Sequence, residues 1–248
     1  VAFRKKDDKS TEAGAKYLLI GAFSSALTLY GISLLYAITG FLTFDGVNSF
    51  MDGINNGVVD GDFSEVIFIS WLFIMAGLGF KIAVVPFHAW APDVYEGAPT
   101  PVTTLLAAAS KAMGFVAVFR VFVFTLDSVY EEWELILGII ALASMTVGNL
   151  AAISQNDIGR MLAYSSIAQA GYIMIAIPAL TSEAMSGAIA HTLVHAFMKG
   201  GAFVVVGCVG AVGLGYNLDS YKGLAKRSQL LALAMTVCLL SLVGIPPF

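Results

Sequence analysis

The chain has 248 residues, 58% of them hydrophobic and 12% charged, with a mean hydropathy of +0.84, against roughly 25% charged residues in an ordinary soluble domain. This composition argues against a soluble globular fold and makes lipid the expected solvent. The formal net charge of −4 gives no sign of a nucleic-acid partner, and the two cysteines, Cys208 and Cys238, sit in apolar runs without the spacing of a disulfide framework, a zinc site or an iron–sulfur site.

The chain opens on VAFRKKDDKS and stops at GIPPF; neither is a secretory signal, and both ends read as cuts within a longer chain. A bilayer core of about 30 Å needs roughly 20 apolar residues of helix. On that measure seven spans are expected, over residues 16–39, 66–86, 102–126, 135–153, 161–180, 187–212 and 230–244. The runs do not alternate with period two, so helices are expected rather than barrel strands. The whole chain, 1–248, reads as a single transmembrane domain. Residues 44–63, FDGVNSFMDGINNGVVDGDF, are too polar and glycine-rich to span, yet Phe44, Val47, Phe50, Met51 and Ile54 recur at helical spacing. They predict a short amphipathic helix on the outer surface.

Loop charge tests the topology, because Lys and Arg in short loops collect on the cytoplasmic side. With span one starting inside, the inner segments are the chain start, the loop around Pro92, the turn at Asn156 and the loop around Lys222. These carry Arg4, Lys5, Lys6, Lys9, Arg160, Lys222, Lys226 and Arg227. The outer loops carry ten acidic residues, from Asp45 to Glu183 and including Glu132, and no Lys or Arg. Trp71, Trp90 and Trp133 fall near span ends, where an indole suits the headgroup region as an anchor.

Four basic residues remain within spans: Lys81, Lys111, Arg120 and Lys199. An ionised side chain at the bilayer centre costs at least ~2.5 kcal/mol, so it faces protein or water and marks a pathway or a pair. Lysine can lose and regain a proton when desolvated, whereas arginine cannot. Lys111 lies about nine residues into its span, ~14 Å deep at 1.5 Å per residue; its bland reading is a structural lysine paired to a helix carbonyl. Lys81 lies five residues before Pro86, which frees a carbonyl and breaks the helix beside the lysine; its bland reading is snorkelling to the inner surface. His191, His195 and Lys199 follow at i, i+4 and i+8 and share one helix face, which can carry a proton wire or, for His191, simple packing. No third ligand supports a metal at the two histidines. Arg120 is expected to snorkel or pair with an acid. Lys16, four residues after Glu12, has an ordinary i,i+4 pair as its plain reading. Ser24, Ser25, Ser165, Ser166 and Gly171 are read only as permitting close helix packing. No dinucleotide fingerprint, Walker loop or nucleophile elbow is present.

The stretch FKIAVVPFHAWAPDVYEGAPTPVTTLLAAASK, from Phe80 to Lys111, resembles the central signature of the antiporter-like membrane subunits of respiratory complex I, the proton-pumping NADH:quinone oxidoreductase, and its PDVYEGAP form resembles the subunit N branch. EAGAKY from Glu12, YGISLLY from Tyr30, RMLAYSSIAQAGY from Arg160, YKGLAKRS and LSLVGIPP extend the resemblance over nearly the whole chain. Gly159 and Gln229 depart from common residues at loop positions.

The resemblance implies an all-α polytopic fold, the sixth to twelfth of fourteen helices, built on inverted five-helix repeats with helices broken near Pro86 and Pro246. It implies that Lys81 loads protons and Lys111 connects to a second half-channel, with Lys16 as a weaker candidate; His195 and Lys199 stand as relay candidates on their shared helix face alone. The acidic partner of Lys81 is expected before residue 1 and the exit lysine beyond residue 248. Flavin and iron–sulfur clusters are expected in other subunits, with no cofactor or metal in this chain. The expected partners are other antiporter-like subunits and lipid, in a bacterial or archaeal plasma membrane or an organelle membrane of bacterial origin. Replacing Lys111 with alanine is expected to reduce pumping and leave assembly largely intact. The alternatives are a subunit of a cation/proton antiporter, of a hydrogenase, or of a ferredoxin- or coenzyme-linked dehydrogenase.

Overall fold

The computed structural model describes residues 1–2 and 7–245. Arg4, Lys5, Lys6 and the expected break at Pro246 lie outside the described residues, as does the Glu132 side chain. The helices, in chain order, are α1 (Asp8–Thr39), α2 (Phe44–Asn55), α3 (Ser64–Ile82), α4 (Trp90–Gly97), α5 (Thr100–Leu105), α6 (Lys111–Phe122), α7 (Tyr130–Ile153), α8 (Ile158–Met174), α9 (Ala176–Ala179), α10 (Ser182–Ala211), α11 (Leu224–Arg227) and α12 (Gln229–Val243). A π turn, Leu106–Ser110, joins α5 to α6 into one span. Among the described residues, six helices are long and apolar enough to cross a membrane, and α12, with 15 residues, is a shorter apolar helix at the seventh expected span.

Helix ends follow local chemistry. Asp7, Thr43, Asp157 and Thr181 accept from backbone N–H groups in the first turns of α1, α2, α8 and α10, satisfying donors that have no partner inside the helix. α1 stops at Gly40, whose φ of 71° needs a residue without a Cβ. α8 lies against α7 with backbones nearly touching: a Cβ on Gly171 would stand 2.7 Å from the Ala141 carbonyl oxygen, and one on Gly148 2.4 Å from the Ala168 nitrogen. Small residues at such seams let membrane helices pack by dispersion where hydrophobicity gives no drive.

The two ends of the bundle are each tied by polar contacts. At one end, Lys9 pairs with Glu96, Arg160 with Asp93 and Glu96, and Leu218 N donates to Asn156 O. All four segments read as inner therefore meet. At the other end, Asn48 donates to Asp127, Asn55 to Ser128 O, Ser128 bonds Asp52, and Tyr130 donates to Pro178 O. α2 belongs to this end and buries Val47 and Met51. Arg120 pairs here with Asp45 and lies over the Phe44 ring.

The tryptophan anchors are a correction. Trp71 and Trp133 have no exposed surface and Trp90 only 3%, so none reaches a headgroup layer. Their rings fill two apolar cores instead, Trp71 and Trp133 with Phe122 and Leu137, and Trp90 with Phe80 and Leu162. Trp90 Nε1 donates to Phe80 O and Trp133 Nε1 to Leu126 O. Trp90 and Trp133 thus give their polar tips to helix-end carbonyls rather than to a lipid headgroup, while Trp71 Nε1 has no hydrogen-bond partner among the described residues. The outward faces of α1, α7 and α10 are apolar, with Phe23, Leu142 and Phe197 exposed, as lipid contact requires. The protein is an integral membrane protein.

Candidate functional site

Between the two apolar cores lies a polar layer centred on α8. Lys111 has no exposed surface. It opens α6 directly after the π turn, a local widening of the helix that recurs at functional sites. Its Nζ donates to Ser166 O at 2.9 Å and to Ser166 Oγ at 2.7 Å. Lys199, also without exposed surface, donates from α10 to Leu162 O at 3.0 Å. Leu162 and Ser166 are four residues apart on α8, so the carbonyls that hold the two amines lie about one helical turn apart, about 6 Å along the axis.

α10 runs antiparallel to α8 and supplies the rungs between and beyond. His195 is 2% exposed, its Nε2 has no hydrogen-bond partner among the described residues, and its ring lies within electrostatic range of Lys111, Lys199 and His191. His191 Nε2 meets Gln169 Oε1 at 2.6 Å. The ladder of Lys199, Lys111 with His195, and His191 thus rises along α8 through Leu162, Ser166 and Gln169. Two like-charged amines bonded to carbonyls one turn apart in a low-dielectric interior resist being charged together, so a proton arriving at one favours departure from the other.

The structure separates the remaining candidates from this ladder. Lys81, in the last turn of α3, is exposed in a side groove lined by α1, α3 and α6, including Tyr17, Gly21 and Met113. Its stem approaches α6 at Gly114, one turn beyond Lys111, but Lys111 points the other way, into α8. The break beyond Lys81 is built from Ala83, at φ 56°, and a cis Val85–Pro86 bond. Its freed polar groups are met by protein: Val85 N donates to Ser144 Oγ at 2.9 Å, and Phe80 O accepts from Trp90.

Lys16 pairs with Glu12 and with Asp93. It belongs to the ion network of Lys9, Arg160, Asp93 and Glu96 at one end of the bundle, apart from the buried ladder. Burial opposes ionisation of Asp93 and Glu96, but bonds from Lys16, Lys9 and Arg160 outweigh it and hold both carboxyls below their usual range. Asp157 goes the other way, raised chiefly by burial. Among the described residues no group of three metal ligands occurs.

Three features of the ladder have no sequence signal of the kind sought above. The π turn leaves no mark in LLAAAS, Ser166 reads as one small residue among several, and a main-chain carbonyl such as Leu162 O is carried by every residue. Gln169, the one side-chain amide of α8, is the feature of the ladder that the sequence does display.

A helical bundle with two lysines sealed between its membrane helices defines a polytopic membrane protein with a buried polar layer. The chain belongs to the NADH:quinone oxidoreductase/Mrp antiporter transmembrane family, whose model matches residues 1–248. It is 44% identical to NADH-quinone oxidoreductase subunit N of Desulforamulus reducens, over 100% of this chain and 50% of that protein. It is also 44% identical to F420H2 dehydrogenase subunit N of Methanosarcina mazei, over 99% and 50%. The chain thus spans about half the length of these curated relatives. Among solved structures, it matches respiratory complex I from Thermus thermophilus at 34% identity and a TM-score of 0.78, covering 98% of this chain and 51% of that one. The membrane-bound sulfane sulfur reductase, an archaeal respiratory complex, matches at 31% identity and 0.86, over 99% and 49%.

Proposed function

We propose that this chain forms the central part of a proton-translocating membrane subunit in a complex of the NADH:quinone oxidoreductase type. The observation that carries the reading is the pair of fully buried lysines, from α6 and α10, that bond to α8 one turn apart, with His195 beside them. Lys111 receives a proton and holds it against Ser166. Lys199 and His195 pass it onward, with water bridging the unpartnered His195 Nε2, as buried polar atoms otherwise lack satisfaction. Lys81 feeds Lys111 from the groove on the other side of α6, where an acidic partner from elsewhere in the full-length protein stabilises its charged form. Lys16 acts more weakly, through the inner ion network. The helix break near Pro86 places Lys81 at the groove through which water would reach it. Redox chemistry belongs to other subunits, which hold flavin and iron–sulfur clusters, and other antiporter-like subunits flank this one. The membrane is a bacterial or archaeal plasma membrane, or an organelle membrane of bacterial origin.

The test is Lys111→Met in the assembled complex, followed as protons moved per electron in sealed vesicles. Retained electron transfer with lost pumping is expected; full pumping rejects the relay. A second reading concerns the donor. Likeness to F420H2 dehydrogenase subunit N equals the likeness to the NADH-linked subunit, so assaying the purified complex with NADH and with reduced deazaflavin decides between them.

A further inference from the structure

Gln169 lies on α8, 6% exposed, three residues beyond Ser166. Its amide makes two contacts of fixed sense. Nε2 donates to Leu242 O, in the last turn of α12, at 3.0 Å, and Oε1 faces His191 Nε2 at 2.6 Å. A backbone carbonyl only accepts, so it dictates that the nitrogen end of the amide faces α12. The oxygen end then faces His191, and because that oxygen also only accepts, His191 Nε2 must carry a hydrogen. The opposite tautomer sets two acceptors against each other at 2.6 Å. Flipping the amide to relieve that clash sets Oε1 against Leu242 O instead.

We infer that Gln169 is a positioning residue that holds His191 in its Nε2–H form, directs proton exchange to Nδ1, and ties the ring to the end of α12. The inference rests on the proton-relay reading of α10. Because the Nε2–H donor is present in both neutral and charged imidazole, the Gln169 contact survives protonation, and only Nδ1 gains or loses a proton. His191 is thereby a one-port relay, a role its position near the helix start did not distinguish from packing. The ionisable groups on the elements packed against α10 are Arg160, Tyr164 and Tyr172 of α8, Lys111 and Arg120 of α6, and Cys238 of α12, with none on α5, the π turn or α9; α10 itself carries Glu183, His195, Lys199 and Cys208.

The test uses the full-length protein in its complex, reconstituted in bilayers with 15N-histidine, the His191 signals being assigned by their loss in His191→Gln. The expected neutral form carries hydrogen on Nε2 and none on Nδ1. In Gln169→Leu the tautomers mix, and protons pumped per electron fall by about two- to tenfold, the worth of one net hydrogen bond, with electron transfer retained. An Nδ1–H parent, or a Gln169→Leu protein with parental tautomer ratio or parental pumping, overturns the assignment. The parental spectrum decides even if Gln169→Leu does not assemble. Failure of the relay reading itself appears separately, as full pumping in Lys111→Met.

Discussion

Lys111→Met separates the chemistry of the buried amine from its packing. Lys111 has no exposed surface and lies between the core around Leu106 and Ala107 and the core around Phe115 and Val118. Alanine there deletes three methylenes and the amine, about 0.8 kcal/mol per methylene in transfer alone, and with the cavity about 2–5 kcal/mol. The earlier expectation that alanine leaves assembly largely intact therefore needs revision: loss of pumping in that variant would confound a relay with a void. Methionine keeps nearly the same volume, and such swaps cost less than about 1.5 kcal/mol. It removes the two bonds to Ser166, but the Ser166 carbonyl sits within α8 and the hydroxyl can turn back onto its own helix, so neither is stranded. The expected protein assembles at parental level, transfers electrons in leaky membranes, and generates a much smaller proton gradient in sealed ones. A gradient of parental size per electron would refute the role assigned to this amine.

Three further outcomes follow from the packing and the ion network. Ser144→Ala strands the Val85 N–H at the α3 break, a loss of about 1–3 kcal/mol; a lowered thermal midpoint of the assembled complex is expected, and an unchanged midpoint means another group meets that amide. Gly171→Val drives a side chain into Ala141 O and Met145, and since helix backbones cannot yield as a flexible side chain can, α7 and α8 must separate; poor membrane insertion or assembly on blue-native gels is expected, and normal yield contradicts the seam. The carboxyls of Asp93 and Glu96 are depressed in the folded protein. Their contribution is therefore full above the ordinary carboxylate range, roughly pH 4–5, and is lost as pH falls through the lower folded values. Asp93→Asn should flatten the acid limb of a stability–pH curve, by about 1 kcal/mol per half-buried pair; an unaltered limb would show that the pairs carry no linkage.

The likeness to an oxidoreductase subunit, the seven apolar runs and the partition of loop charge were all legible in the sequence. The burial of Lys111 was legible too, from its count along an apolar run. The tryptophans were misread because their positions near span ends resemble those of interfacial anchors, while the direction each ring takes depends on the neighbouring helix. Lys81 shows the same limit. Its place before Pro86 announces a break, yet its exposure depends on which helices cover α3 and α6, and none of those described here does so.

Composition along a run is local, and transfer of that run into lipid depends on little else; the spans and the burial of Lys111 and Lys199 were accordingly readable from the residues alone. What each buried cation meets was settled only by tertiary structure. The partners of Lys111 and Lys199 include main-chain carbonyls of α8, which every residue possesses and no side chain advertises, so only the register of one helix against another could select them.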